Sequence, residues 1–356
     1  MFINAVYYPN YRVYRNQTPS SLRLDIVSHV FYAFAGLKSD GTVYLSDEYA
    51  DTQISVDGTQ GCLRAFVGLK RQYTHLKIIL SIGGGSSDPA TFASVAADPT
   101  TRERFGASAR ELVDAYGLDG IDVDWEHPTP FQTIDFTALL STLRTYLPRP
   151  RYILSTALPA GAWLLRYIDL PTLSHTLDLL NLMAYDFYGP WTPTAGHHAA
   201  LYAPIPSHTD PQNPPSIQPS GVAAVEFVLG TGFPAAKILF GIPAFGRSFL
   251  GAAGPGYRHK GGGGEDGSFE YSELPRPGAQ QGVDRVCCAA YCIGGDGGWV
   301  SYDNAETVAT KAAFVRDRGL AGLFFWTGTA DVAKDVEGGD ARSLVYAGYM
   351  ALHDRY

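Results

Sequence analysis

Four carboxylates crowd the segment DGIDVDWEHP, residues 119–128: Asp119, Asp122, Asp124 and Glu126. The last three alternate with apolar residues, the pattern of a buried strand, and successive strand side chains point to opposite faces. Asp122, Asp124 and Glu126 therefore share one face. Like charges held close together raise each other's pKa, so this group should keep at least one proton near neutral pH. A protonated carboxyl group can serve as a general acid, and acid–base catalysis is the chemistry that the spacing predicts.

Two other interpretations fit part of this pattern. A solvated acidic strand or a salt-bridged core cluster would be purely structural, but this strand carries no basic residue and burying unpaired charge is costly. A divalent metal site also uses several carboxylates, but the histidines of the chain show no ligand spacing near this strand. We therefore expect no metal ion and no cofactor.

The elements around the segment predict how it is positioned. Eight β-rich runs alternate with helical segments, and most are continuous apolar runs, as expected of parallel strands covered by helices. The runs occupy residues 2–8, 26–36, 76–85, 118–126, 152–159, 177–187, 236–246 and 320–328. This alternation predicts an α/β fold, the (β/α)8 or TIM barrel, whose chemistry lies at the carboxyl ends of the strands. Glu126, the last acid of the fourth strand, would then face the substrate.

Helix signals and loop composition complete the architecture. Asp98 as a cap, Pro99 in the first turn and Gly117 at the end predict one helix. Residues 188–219 predict a long loop after the sixth strand, and the Gly-rich stretch 247–316 a small α+β insertion between strands seven and eight. We therefore divide the chain into a barrel, residues 1–246 and 317–356, and an inserted subdomain, residues 247–316. Long loops at this end of a barrel usually shape the active site.

Composition limits which classes of molecule the protein could bind and where in or outside the cell it could act. The 356 residues suffice for one barrel of about 250 residues with elaborations. The formal net charge of −8, without a long basic run, argues against nucleic acid and anionic membranes as partners. No apolar run reaches the roughly 18 residues of a membrane span. The first residues lack the pattern of a signal peptide, so we expect an intracellular or non-classically exported enzyme, or a secreted one if the sequence was trimmed.

The four cysteines do not predict a disulfide framework or a zinc site. One lies far from a close group of three, and the four are Cys62, Cys287, Cys288 and Cys292. This spacing matches neither a paired framework nor a complete ligand set. We expect buried thiols.

The ordered motifs resemble glycoside hydrolase family 18, the chitinase family. Its DxxDxDxE motif is matched in full by the four acids from Asp119 to Glu126. Four further segments follow in the family's order and resemble its strand-three, strand-six, strand-seven and last helix–strand motifs: SIGGG at 81–85, MAYDFYG at 183–189, GIPAFGRSF at 241–249 and the stretch 300–326 ending in LFFW. The resemblance covers nearly the whole chain and implies a barrel that hydrolyses chitin or chito-oligosaccharides.

The resemblance also implies a mechanism in which the substrate supplies the nucleophile, an exception to the usual pair of carboxylates. Glu126 would protonate the glycosidic oxygen while the 2-acetamido oxygen of the sugar in subsite −1 attacks the anomeric carbon. Asp124 would bind the acetamido N–H and stabilise the oxazolinium ion, and Asp122 would share a proton with Asp124. Tyr185 would orient the acetamido oxygen. Glu126 would then act as the base for water.

Three further residues match family positions in subsite −1. Trp326 would form the apolar floor beneath the sugar. Met183 and Asp186 would line the same subsite.

Four residues match family positions farther along the sugar chain. Tyr8 and Phe34, at the ends of strands one and two, would form walls on the glycone side. Trp191 and Arg247 would lie near the cleavage point and on the aglycone side.

Some features depart from the family pattern or leave alternatives open. The family usually has Tyr-Pro after the acid, and this chain has His127-Pro128, where we interpret the histidine as a neighbour rather than a catalyst. An endo-β-N-acetylglucosaminidase acting on N-glycans and a non-catalytic chitinase-like lectin are the alternative functions. Such lectins typically lose the acid, which is present here, and the insertion before strand eight favours a chitinase. We expect a monomer; endo or exo action, the chain end attacked and the preference for polymer or oligomer stay open.

Overall fold

The computed structural model describes residues 2–204 and 219–354. Eight parallel strands form a closed ring: β1 Ile3–Pro9, β2 His29–Leu37, β3 Lys77–Gly83, β4 Gly120–Asp124, β5 Ile153–Pro159, β6 Leu179–Met183, β7 Ile238–Pro243 and β8 Gly322–Trp326. Each strand pairs with the next, and β8 pairs with β1. Every predicted run overlaps one of these strands, so the predicted (β/α)8 barrel is confirmed. A short strand, Val43–Leu45, extends the ring by pairing antiparallel with β2.

The α-helices lie between and after the strands of the ring. They span Cys62–Leu69, Pro89–Ala97, Pro99–Tyr116, Thr133–Tyr146, Ala162–Leu165, Leu170–Thr176, Gly221–Gly230, Ala305–Asp317, Gly339–Arg342 and Leu344–Leu352. The predicted cap at Asp98 is confirmed, because its carboxylate accepts the N–H groups of Thr100 and Thr101. That helix ends at Gly117, which adopts a left-handed φ of 67°, the conformation for which glycine is favoured.

A second sheet lies between β7 and β8. Its five antiparallel strands are Ser268–Glu270, Phe245–Phe249, Trp299–Tyr302, Ala289–Ile293 and Gln280–Asp284, in that spatial order. The stretch from 245 to 302 also contains a short 3-10 helix, Tyr271–Glu273. The helix Ala305–Asp317, which the proposed division at 316 assigns to the insertion, contacts β8 and the helix Leu344–Leu352. The division into domains stays a prediction.

The side chains of the barrel strands form an inner and an outer core. The inner cluster fills the ring with Ala5, Tyr7, Phe31, Ala33, Ile79, Leu179, Leu239 and Phe324. The outer core lies between strands and helices and includes Ile121, Val123 and Trp125 of the acidic segment. The alternation of strand side chains therefore directs the apolar residues of this segment outward and its acids inward.

Three observations concern features raised by composition. In the described part of the chain, no helix is long and apolar enough to cross a membrane. Across the same residues, no three His, Cys, Asp or Glu side chains are arranged to hold a metal ion. All four cysteines are free and buried.

Candidate active site

Strand β4 places its acids in order from the barrel interior to the rim. Asp122 is fully buried and Asp124 is 3% exposed, whereas the Glu126 side chain is 27% exposed. Asp119 lies at the opposite end of the strand, where it accepts hydrogen bonds from Lys70 Nζ at 2.6 Å and the Ile78 N–H at 2.8 Å. The first acid of the motif therefore has a structural contact, and the other three form a column that opens at the rim.

Asp122 is held by four donors from four other strands of the barrel. The hydroxyls of Tyr7, Ser81 and Ser155 donate to its carboxylate at 2.7–2.8 Å, and Asn181 Nδ2 donates at 3.3 Å. Burial raises the pKa of Asp122, and the hydroxyl donors oppose that effect. These contacts fix the carboxylate under the site. The structure records no hydrogen bond between Asp122 and Asp124 among its described residues, so the shared proton stays a prediction.

Asp124 has a buried oxygen without a protein partner. Its Oδ1 has no hydrogen-bond partner, although the residue lines the groove described below. Burial raises the pKa of Asp124 well above its usual range, and the charges of Glu126 and Asp122 add to the increase. An unsatisfied buried polar atom is costly, so this carboxyl group is suited to a ligand that brings its own hydrogen-bonding partner.

Glu126 occupies the mouth of the column. Burial and the charge of Asp186 raise its pKa to about 7, which keeps a substantial protonated fraction at neutral pH. A Cβ atom at Gly85 would make an ordinary van der Waals contact of 3.4 Å with Glu126 Oε1, so the backbone of the loop after β3 lies directly beside the carboxyl group. A carboxyl group with a pKa near neutrality can both donate and accept a proton.

Asp186 stays ionised next to this acid. Arg247 holds both of its carboxylate oxygens, through Nε at 2.7 Å and Nη2 at 2.8 Å, and His198 Nδ1 lies 3.5 Å from Oδ1. Burial favours a higher pKa, but these partners outweigh it and lower the pKa of Asp186 to about 2. The Arg247 guanidinium also lies 4.9 Å from the ring centroid of Trp191. Arg247 thus connects Trp191, predicted for the aglycone side, to Asp186, predicted for subsite −1.

Aromatic side chains form the floor of the site. The Trp326 ring is stacked on Phe34 at 5.7 Å between centroids and meets Tyr7 edge-on at 5.5 Å. Tyr185 packs between Phe245 and Phe324, at 5.9 Å and 6.2 Å. Flat apolar faces of this kind suit the faces of sugar rings.

An open groove of about 2430 Å³ joins these features along the carboxyl ends of the strands. Nine of the eleven predicted site residues line it: Asp124, Glu126, Tyr185, Trp326, Met183, Asp186, Phe34, Trp191 and Arg247. Asp122 lies beneath the groove. The structure thus brings together residues that are up to 292 positions apart, from Phe34 to Trp326.

Tyr8 is the exception, and its predicted role as a groove wall is wrong. Its hydroxyl donates to the Gln17 carbonyl oxygen at 2.7 Å, and its ring packs against Tyr32 and Phe66 in the outer core. The neighbouring Tyr7 takes the inward position and lines the groove. Adjacent residues of a strand point to opposite faces of the sheet. The prediction chose the wrong one of the two adjacent tyrosines and therefore the wrong face.

Sequence reasoning missed the partners of Asp122 and the histidine beside Asp186. The strand register places Ser81 and Ser155 directly opposite Asp122. Alternation along each strand assigns Tyr7, Ser81 and Ser155 to one of two faces, and the strand register decides which face points inward. No local pattern marks His198, which reaches Asp186 from the segment after β6. Trp163, 61% exposed at the groove, was also missed.

Residues 3–331 match the profile of the family described as Glycosyl hydrolases family 18. The chain belongs to this family. It is therefore a glycoside hydrolase, and the resemblance seen in its motifs is confirmed. Chitinase 1 of Aphanocladium album is 33% identical over 352 residues, which cover 92% of this chain and 82% of that relative.

Solved family-18 structures share the whole fold. The Group IV chitinase of Ostrinia furnacalis, in complex with allosamidin, has a TM-score of 0.89 at 25% identity, with 100% of both chains covered. The chitinase of Cycas revoluta, in complex with (GlcNAc)3, has a TM-score of 0.81 at 28% identity, with 98% of both chains covered. The barrel and its inserted sheet are thus similar to those of chitinases with ligands bound.

Proposed function

We propose that this family-18 hydrolase is a chitinase that cleaves β-1,4-linked N-acetylglucosamine chains by substrate-assisted retaining catalysis. The observation that carries the proposal is the column from Asp122 to Glu126, which opens into a groove floored by Trp326. Relatives named as chitinases, and a related structure in complex with (GlcNAc)3, support the substrate class.

Glu126 is proposed as the general acid and base. It is the acid nearest the groove, and its pKa of about 7 allows it to give a proton to the leaving oxygen and later take one from water. Asp122 and Asp124 lie on the same face of the segment as Glu126, and Asp186, the ionised carboxylate beside it, is held on both oxygens by Arg247. Retaining glycosidases place their two carboxyl groups on either side of the scissile bond, so the nucleophile here would be the 2-acetamido oxygen of the substrate.

Asp124 and Tyr185 are proposed to hold that acetamido group. The unpartnered Oδ1 of Asp124 would accept the acetamido N–H and stabilise the positive charge of the oxazolinium ion. The hydroxyl of Tyr185, which lines the groove, would donate to the acetamido oxygen and direct it at the anomeric carbon. Asp122 would act through Asp124, because four hydrogen bonds fix it below the groove.

The sugar in subsite −1 is proposed to rest on Trp326, beside Met183 and Asp186. Phe34, stacked on Trp326, extends the apolar surface on the glycone side. Trp191, 59% exposed, is available to the leaving sugar on the other side. Its contact with Arg247, which in turn holds Asp186, connects that platform to subsite −1.

The test is time-resolved product analysis of chitohexaose with detection of the anomers. We expect early β-anomeric products from the wild type and none from Glu126→Gln, which should still bind chitotriose. Product lengths would then distinguish endo from exo action. Full activity of Glu126→Gln would exclude Glu126 as the acid.

Two alternatives give different results in the same experiment. A chitinase-like lectin would bind the hexamer and leave it intact, and so would an endo-β-N-acetylglucosaminidase that requires a larger glycan. A high-mannose glycoprotein distinguishes these two, because only the second would release its glycan.

A further inference from the structure

The groove carries more acidic groups than the proposed mechanism uses. Among the residues that the structure describes, eight carboxyl groups and three guanidinium groups line it, and no lysine does. The acids are Asp124, Glu126, Asp186, Glu265, Asp266, Glu270, Glu273 and Asp284, and the bases are Arg12, Arg15 and Arg247. A cleft lined mainly by one sign of charge focuses the electrostatic potential and concentrates ligands of the opposite charge.

The arginines do not offset this excess, because acids within the groove already bind them. Arg247 is held on both carboxylate oxygens of Asp186, and Arg12 donates to the Glu270 carboxylate. Arg15, 57% exposed, lies 3.3 Å from the same glutamate. The other acids therefore set the charge that a ligand meets.

Three of these acids form one exposed wall on the inserted segment. Glu265, Asp266 and Glu273 flank the strand Ser268–Glu270, and all three are exposed. The cation closest to Glu273 is Arg276, whose Nη1 lies 3.9 Å away, and the described residues form no ion pair with the Asp266 side chain. Exposed ion pairs are weak, so these carboxylates, named here the acidic wall, are available to a ligand.

The bottom of the groove and the acidic wall suit different groups on a ligand. Asp124 is 3% exposed and its Oδ1 has no hydrogen-bond partner, which suits the acetamido N–H of one sugar. The acidic wall suits a cation. In chitin a single atom can supply both groups, because the 2-amino nitrogen is an amide when acetylated and an ammonium ion when deacetylated and protonated. A chain that contains both kinds of unit matches both parts of the groove.

We infer that the groove binds partly N-deacetylated chitin, a polycation, more tightly than fully acetylated chains at low ionic strength, with the acidic wall binding ammonium groups of glucosamine units outside subsite −1. The inference rests on the proposed function and narrows its substrate class. Subsite −1 still takes an N-acetylated unit, because that unit supplies the nucleophile.

The kinetic test compares two soluble hexamers, chitohexaose and a partly deacetylated hexamer, at mildly acidic pH. Salt screens exposed charges, and its effect is large between about 20 mM and about 300 mM. Over this range kcat/KM for the partly deacetylated hexamer should fall at least about fivefold, because charge-assisted capture is lost. For the neutral chitohexaose it should stay within about twofold.

A triple variant replaces the acidic wall with amides of the same shape: Glu265→Gln, Asp266→Asn and Glu273→Gln. Asparagine tolerates the left-handed φ of 49° at position 266, as aspartate does. We expect the variant to lose the salt dependence on the partly deacetylated hexamer and to cleave chitohexaose as the wild type does.

The matched control changes the net charge by the same amount at three exposed acids outside the groove lining: Glu111→Gln, Asp317→Asn and Glu337→Gln. It should keep the salt dependence of the wild type. The same salt dependence in the wall variant and the wild type would overturn the inference, and so would equal losses in the wall variant and the control.

Binding without turnover separates the inference from the proposed function. In Glu126→Gln, calorimetry at about 20 mM salt should give tighter binding of the partly deacetylated hexamer than of chitohexaose, and the added wall substitutions should remove the difference. A wild type that shows this preference in binding but cleaves neither hexamer would refute the proposed function alone. A wild type that cleaves chitohexaose while Glu126→Gln binds both hexamers equally would refute this inference alone.

Discussion

The buried Oδ1 of Asp124 has no hydrogen-bond partner in the protein. Burial, together with the charges of Glu126 and Asp122 on either side of it, raises its pKa well above the usual range. A ligand with an N–H group would supply the missing hydrogen-bond donor to Oδ1. If it also develops positive charge, it would stabilise the ionised form of Asp124. The acetamido group of an N-acetylated sugar has these properties, which makes Asp124 a direct test of substrate assistance.

Asp124→Asn should lower kcat by at least about 10²-fold, with a smaller change in KM, because electrostatic stabilisation acts in the transition state. The measurement is kcat and KM on a fluorogenic chitobioside. Asp119→Asn is the matched control from the same motif. Its partners are Lys70 and Ile78, so its loss should affect stability rather than kcat. Equal effects of the two substitutions on kcat would contradict the assignment.

At the scale of elements, the loop after β3 is built so that it can pass close to β4. Gly83 has a φ of +116°, and a Cβ atom there would lie 2.2 Å from the Asp124 carbonyl oxygen. Gly84 donates its N–H to the same oxygen at 2.8 Å, and a Cβ atom on it would clash with the Phe34 ring. The glycines of the SIGGG segment thus allow the backbone to hold the acid strand and leave room for the groove.

Gly83→Ala should reduce both stability and activity. The left-handed φ and the contact with the Asp124 carbonyl group would cost at least about 2 kcal/mol of unfolding free energy, and the strand that carries the acids must move. Urea unfolding and kcat measure the two effects. The control is Gly68→Ala in the helix Cys62–Leu69, where a Cβ atom meets nothing within 4 Å; alanine should there be neutral or stabilising. Normal activity of Gly83→Ala would contradict the close approach.

At the scale of the whole molecule, the raised pKa of Glu126 links pH to stability. Its folded pKa of about 7 lies above the usual value of 4.5. This contribution to stability is fully present below about pH 4.5 and is lost as the pH rises through about 7. Glu126→Gln removes the titration. The melting temperature of the variant should therefore rise relative to the wild type between pH 4.5 and pH 8. A difference that does not depend on pH would refute the linkage.

A buried ion pair joins three parts of the chain behind the second sheet. Lys311 Nζ lies 2.5 Å from Asp303 Oδ2 and 2.5 Å from the Ala199 carbonyl oxygen, and both charged side chains are fully buried. Lys311→Met would leave Asp303 buried without its cation, which typically costs about 3–5 kcal/mol. Urea unfolding measures the loss. Arg104→Met, which removes an exposed ion pair with Asp40, should leave the midpoint nearly unchanged. Similar losses in both would contradict the role of burial.

The sequence by itself determined the barrel and the column of acids. Continuous apolar runs that alternate with capped helices specify a (β/α)8 ring, and the alternation from Asp122 to Glu126 places three acids on one face of their segment. Local stereochemistry is sufficient for both. The motif match added residues from distant strands, such as Tyr185 and Trp326, and the family profile over residues 3–331 agrees with it.

Only the tertiary structure decided which distant side chains meet. The choice of Tyr7 over Tyr8 follows from the register between β1 and its neighbours, and the donors to Asp122 come from four different strands. The contact of His198 with Asp186 depends on the path of the segment after β6. The contact of His127 with Glu126 depends on how the chain turns at the rim after β4. Burial, which sets the pKa values of the acids, is a property of the closed barrel and its groove. No short stretch of sequence contains it.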